Sequence, residues 1–459
     1  MDSFVLTDQL SPLEALKLVC EGGLLNVPFQ LQELLIEQAD VFSNAEAEGE
    51  QVYGLTRGVG YGRRTIILGS ARPELSDRLL SYGVNHTDQI LSTSVSRGAL
   101  LLRSRSLSVG QSGVSLAVLE SMVNWFNNQV SPVLYRSGSI GAADLGEMGQ
   151  LARCLLGYPG SQVRPSLDGS MEEASQYSTL STEDLSSRDP LGLVSSNAVT
   201  VSSALLLLGE ASAAFDFALR SFAVSLVAFK GNPSPFSPGV LENKVNSCER
   251  RASGRLYDLY NINPQQVAPR DVQDPLSFRC YGQVMGALLQ SLENFSLRLE
   301  EHINSSEDNP TIDLRLGEIS STANFDTTLL AAAADELKIS FARAGLLTAE
   351  RINKLSWPEF NESNGAQSGT TYSGMALAGQ LRGLTYPASL AFAGQPSRGV
   401  EDWAALLPQS VDECRNVLRI TCEIWGLEAS TAAALLKSEP IKPSGDPYCA
   451  EWIERPASA

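Results

Sequence analysis

Apolar residues recur at helical spacing over long stretches of this chain. Residues 97–130 contain no proline and place Leu101, Val109, Val114, Leu116, Leu119, Met122, Trp125 and Phe126 on that period. Residues 196–229 are apolar on nearly all sides, the pattern of a helix surrounded by protein. Further periodic stretches cover 278–301 (Val284, Ala287, Leu288, Leu292, Phe295, Leu299), 327–356 (Leu330, Ala334, Leu337, Phe341) and 409–437. Period-two alternation is scarce. The pattern predicts a mainly α fold, a bundle of long helices rather than an α/β sheet. Residues 157–190 and 357–374, rich in Ser, Gly, Pro or Asn, read as loops, either solvated insertions or lids. The chain shows no internal repeat and no clean linker. The expected division is an N-terminal domain over 1–195 and a long-helix region over 196–459.

Composition narrows the function. Among 459 residues, Lys plus Arg number 34 against 52 Asp plus Glu, a formal net charge of −18. Nucleic-acid binding needs a cationic surplus, so no nucleic-acid partner is expected. Hydrophobic residues at 43% and charged ones at 19% fit a globular chain with a large core. No uncharged apolar run of about 18 residues stands out, so no membrane partner is expected. The N-terminus shows no secretory pattern, and the chain reads as cytoplasmic. The seven cysteines include no C-x-x-C pair, which argues against a disulfide framework or a zinc site. With only His86 and His302 present, metal binding is not expected. Acid–base chemistry would rest on Tyr, Glu, Asp, Arg or Lys.

Three short segments concentrate residues able to do chemistry. Tyr53-Gly54-Leu55-Thr56-Arg57-Gly58-Val59-Gly60-Tyr61-Gly62 sets a phenol in a glycine-rich backbone able to approach a ligand closely. Arg136-Ser137-Gly138-Ser139-Ile140-Gly141-Ala142-Ala143-Asp144-Leu145 is dense in small residues, as in a tight packing corner. Asp274-Pro275-Leu276-Ser277-Phe278-Arg279 starts a helix with an arginine on its first turns. That arginine suits either a structural ion pair or a substrate carboxylate.

Together these segments resemble the aromatic amino acid lyases, the histidine and phenylalanine ammonia-lyase family. The Tyr53 loop is similar to the family's Tyr-Gly-x-x-Thr-Gly-Phe-Gly loop. Arg103, Leu107, Gly110, Ser112 and Gly113 match Arg-x-x-x-Leu-x-x-Gly-x-Ser-Gly. Val272 to Cys280 match Val-Gln-Asp-Pro-Tyr-Ser-x-Arg-Cys, and Asn304, Asp308, Asn309 and Pro310 match Asn-x-x-x-Asp-Asn-Pro. Asn324-Phe325 and Glu401-Asp402 also find counterparts, and the likeness covers residues 10–435. The resemblance implies the ammonia-lyase/fumarase-like fold, a homotetramer with a central helix bundle, and active sites built from more than one subunit.

The likeness fails at the electrophile. Family members cyclise an Ala-Ser-Gly tripeptide into a methylidene-imidazolone. That reaction needs a hydroxyl to lose from the middle residue and an unhindered Gly nitrogen after it. Here Gly141-Ala142-Ala143-Asp144-Leu145 stands at that place, one residue short. The degenerate motif Ala142, Ala143, Asp144 predicts that this prosthetic group is absent and that the chain has no cofactor. Leu276 replaces a catalytic Tyr, Ser195 an Asn, Arg57 a small polar residue, and Val400 a Gln.

The expected function follows from what remains: a lyase-like enzyme acting on a small-molecule carboxylate by elimination, addition or cyclisation. Tyr53 and Glu401 are the expected catalytic groups, with Arg57 or Arg279 supplying the field that would ionise the phenol. Arg279, Ser195, Asn304, Phe325, Arg57 and Leu276 are the expected substrate contacts. An inactive paralogue serving as a binding or assembly partner, and a true ammonia-lyase or aminomutase, stay open beside it.

Overall fold

The structure, a computed structural model, describes residues 3–166, 169–263, 265, 268–357 and 368–437. Helices dominate, as the periodicity predicts. Ala198–Ala228, Tyr281–Ile303, Thr328–Leu355 and Leu407–Leu436 fall within a few residues of the expected spans. The strands are two or three residues long and pair in small two- and three-stranded sheets.

The stretch 97–130 is not one helix. It divides into Thr93–Ser108 and Leu116–Asn127. Between them Gly110 and Gly113 take φ of +87° and +69°. A Cβ at Gly110 would lie 2.6 Å from Leu34, and one at Gly113 would lie 2.1 Å from Phe42. Only glycine satisfies both the left-handed backbone and the close approach, so the helix must stop there. Ser92 opens the first helix by accepting from the Val95 amide at 3.3 Å.

The two expected loops also turn out differently. Within 157–190, strands Gln162–Arg164 and Glu172–Glu173 pair in one sheet with Ser131–Pro132. The indole of Trp125 donates to the Tyr177 carbonyl at 3.1 Å, so this insertion is tied to the core. Within 357–374, residues 358–367 lie outside the described residues, and Ser368–Gly383 is helical. Its Ser and Thr residues signal a loop, but buried Ala378 and Leu381 anchor it as a helix.

The chain forms two compact units, and neither is one continuous segment. The first comprises Met1–Leu206, Arg298–Ala331 and Ser389–Gln409. The second comprises Leu207–Leu297, Ala332–Ala388 and Ser410–Ala459. A single boundary at 195 is not observed, because long helices carry the chain from one unit into the other. The segment Asp189–Ala228 contains a window apolar enough to cross a membrane, at mean hydropathy 1.7, yet 94% of it is buried in the protein. One chain therefore already covers this helix, and its apolarity alone does not call for a second subunit.

Each unit is organised around a buried cation. In the second, Arg351 grips Glu428 through two bonds of 2.5 and 2.8 Å, with both side chains fully buried. Its guanidinium stacks near Phe222 and Tyr281 at 4.7 and 4.8 Å. In the first, Asp308 lies between two buried arginines, with Arg103 at 3.0 Å and Arg188 at 3.3 Å. Arg188 also donates to the carbonyls of Ser112 and Pro310, and Arg103 to that of Gly192. Removing the carboxylate leaves two desolvated cations facing each other. Asp308→Ala should therefore lower stability by about 3–5 kcal/mol, read by urea or thermal unfolding. Asp313→Ala, which breaks an exposed pair with Arg315, should leave the transition nearly unchanged.

Candidate active site

The Tyr53 loop is built by its glycines. Gly54 has φ +70°, and a Cβ there would stand 2.0 Å from Leu191, so the backbone packs directly on that side chain. Gly60 has φ +55°, and a Cβ there would meet Ser397 Oγ at 2.9 Å and Glu401 Oε1 at 3.8 Å. The loop and the 397–401 turn thus meet backbone to side chain. The Tyr53 phenolic oxygen accepts the Gly60 amide at 2.9 Å. Glu401 lies in the same corner, and its Oε2 is buried without a hydrogen-bond partner. A cavity of about 430 Å³ opens beside Tyr53, and its walls include Val52, Ile319, Arg57, Arg63 and Arg64. A concave site with a few convergent polar groups is the usual form of a small-molecule pocket.

Burial raises the Tyr53 pKa above that of a free phenol, with the Glu401 and Tyr82 charges acting in the same direction. The Gly60 amide and the Arg63 charge offset this only in part. The expectation that a cation would ionise the phenol is corrected on two points. The net shift is upward, and the arginine whose field reaches the phenol is Arg63 rather than Arg57 or Arg279. The shift favours the neutral form of the phenol.

The other expected residues are distributed as follows. Arg57 is half-buried on the cavity wall. Ser195 is buried at the end of helix Asp189–Val194. Phe325 is half-buried, its carbonyl accepting from Asn197 at 2.5 Å. Asn304 is saturated: its oxygen accepts from Leu10 and Arg105, and its nitrogen donates to the carbonyls of Leu10 and Glu300. That leaves it a framework role in place of the expected substrate contact. Arg279 and Leu276 belong to the second unit. Arg279 is half-buried with Nε on the Asp274 carbonyl at 2.6 Å, and Leu276 is exposed.

The degenerate motif is a hydrogen-bonded corner. Ala143 takes φ +72°, a strained value for a residue with a Cβ. Its amide donates to Asn197 Oδ1 at 3.1 Å, and the Asp144 amide donates to the Ser196 carbonyl at 2.8 Å. The Asp144 carboxylate accepts the Thr200 amide and hydroxyl, both at 2.7 Å, at the start of helix Ala198–Ala228. A methyl side chain in the middle and a committed amide after it do not fit the residues that cyclisation requires.

Sequence reasoning missed Arg63 and Arg64. The available signal was a pair of cations next to a glycine loop in an acidic chain. It also missed a buried chain in which Glu307 accepts from Ser196 and faces His302 at 2.7 Å. Burial would raise the Glu307 carboxyl, but the His302 bond and charge, with Arg103, hold it below the usual range. Ser196 bonds the carboxylate rather than the imidazole, so the trio is not a nucleophile relay.

Comparison with known proteins agrees with this architecture. A family model described as aromatic amino acid lyase matches residues 15–450. Histidine ammonia-lyase of Vibrio cholerae is 28% identical over 428 residues, covering 88% of this chain and 83% of that protein. Histidine ammonia-lyase of Paracidovorax citrulli is 29% identical over 415 residues, covering 86% and 80%. Among solved structures, the ergothioneine degrading enzyme ergothionase of Treponema denticola, in complex with desmethyl-ergothioneine sulfonic acid, superposes with a TM-score of 0.87 at 23% identity. It covers 98% of this chain and 93% of its own. Phenylalanine aminomutase of Pantoea agglomerans gives 0.86 at 19% identity, covering 95% and 90%. At these identities the structures share the fold.

Asp144 supplies a test of the corner. Burial, with the Glu147 charge, pushes its pKa up to about 7 from 3.8, against the opposing Thr200 bonds. Between those values the folded state binds more protons than the unfolded state. The stabilisation is therefore complete in acid and is lost as pH rises through about 7. Asp144→Asn keeps a neutral acceptor and should flatten this dependence. Relative to wild type its stability should rise by on the order of 1–4 kcal/mol between acid and mildly alkaline pH, measured by denaturant titration across that range.

Proposed function

The chain belongs to the aromatic amino acid lyase family, and from that membership we propose a lyase-like enzyme that works without the methylidene-imidazolone electrophile. Its reaction is elimination, addition or cyclisation on an amino-acid-derived or α,β-unsaturated carboxylate. The observation that carries this is the pairing of a half-buried Tyr53 phenol with a partnerless Glu401 oxygen at Gly60, beside a cavity.

The division of labour follows from charge. Glu401 takes the proton from carbon in the elimination direction. Tyr53 gives its proton to the departing group, and in the addition direction the roles reverse: protonated Glu401 returns its proton to carbon while the Tyr53 phenolate takes that of the entering group. Without a covalent electrophile the site needs a substrate that requires less help. Such a substrate has a leaving group better than ammonia, a proton already acidic, or an unsaturated bond ready for addition. The solved relative in Treponema denticola is an ergothioneine degrading enzyme, which supports a small-molecule substrate here. The family resemblance further supports a homotetramer.

Two measurements bear on this. On a turned-over substrate, Tyr53→Phe should keep the fold and substrate binding and lower turnover by about 10²–10⁴-fold; an unchanged rate removes Tyr53 from the mechanism. Light scattering in dilute solution should report four subunits, and a stable folded monomer would contradict the assembly.

A further inference from the structure

The cavity beside Tyr53 carries more positive charge than its chemistry so far requires. Arg57, Arg63 and Arg64 all line it. None of the three forms an ion pair among the described residues. They cluster in a chain that carries 52 acidic residues against 34 basic ones. Other arginines of the same unit are held by partners: Arg72 by Glu46, Arg103 and Arg188 by Asp308, Arg97 by the Phe126 carbonyl and Arg105 by Asn304. Like charges around one cavity repel one another unless an anion joins them. The local sequence holds them close, since only six residues separate Arg57 from Arg64 through the glycine turn.

We propose that this cavity takes a substrate bearing two anionic groups, and that Arg57, Arg63 and Arg64 select it. A single carboxylate would neutralise one guanidinium and leave two like charges at the same cavity. A second carboxylate or a phosphoryl group meets the remaining charge, and planar guanidinium groups suit both through paired donors. Arg57 is half-buried and fixed near Tyr53, whereas Arg63 and Arg64 are exposed at the mouth. That arrangement captures the dianion from solution and seats one end against the phenol. The assignment rests on the lyase reading of the same site, and it names the substrate class that reading leaves open.

The test uses the full chain and binding rather than turnover. Fumarate and crotonate have the same four-carbon unsaturated skeleton and differ by one carboxylate; inorganic phosphate serves as the phosphoryl probe. Titration calorimetry should show fumarate or phosphate binding about tenfold or more tighter than crotonate. The tighter of the two dianionic probes identifies the second group. The preference should weaken steeply from ~50 to ~500 mM salt and disappear in the double variant Arg63→Gln, Arg64→Gln. Both replaced side chains are exposed, so unchanged circular dichroism checks the fold. Equal affinity for the three probes, or a dianion preference that survives the double variant, overturns the proposal. The lyase reading fails separately: a protein that prefers dianions yet turns over no unsaturated or amino-acid-derived carboxylate loses catalysis but keeps this site. One that turns over a monocarboxylate without dianion preference does the reverse.

Discussion

Asp308, held between two buried guanidinium groups, is the constraint on which the first unit depends. A carboxylate and two cations removed from water are costly, and acceptors for most of the remaining donors offset that cost, although Arg103 Nε and Arg188 Nη1 stay without a hydrogen-bond partner. Arg188 meets the carbonyls of Ser112 and Pro310, and Arg103 that of Gly192. These contacts lock together the glycine break at 110–113, the turn at 308–310 and the helix Asp189–Val194. Leu191 of that helix packs on Gly54, next to Tyr53, and Pro310 lines the cavity. The position of the phenol thus follows, through a few contacts, from one buried ion cluster.

Much of the fold was legible in the sequence, because the long helices bury wide apolar faces that periodicity exposes. What periodicity cannot register is a helix end set by backbone contact. Gly110 and Gly113 interrupt an unbroken apolar pattern only because Leu34 and Phe42 press on them. In the same way, Ser368–Gly383 has loop-like composition but is held by two buried side chains. The discontinuous units were not legible, since the helices that connect them have no composition shift at the boundary.

The site was legible in part. The motif residues found by resemblance separate into two groups. Arg103, Asn304 and Asp308 are spent on framework bonds, while Tyr53 and Glu401 converge on Gly60. The direction of the Tyr53 shift could not be read from residue types, because it is decided by burial. Asp144 caps the helix Ala198–Ala228, a structural role independent of the electrophile.

The central claim is that the family's scaffold carries its acid–base pair without its electrophile. Intact mass spectrometry of the purified chain, with peptide mapping across residues 136–145, tests it most directly. The account predicts the mass of the unmodified 49.3 kDa chain and ordinary peptides through Ala142-Ala143-Asp144. A deficit of two waters localised to that segment would contradict it.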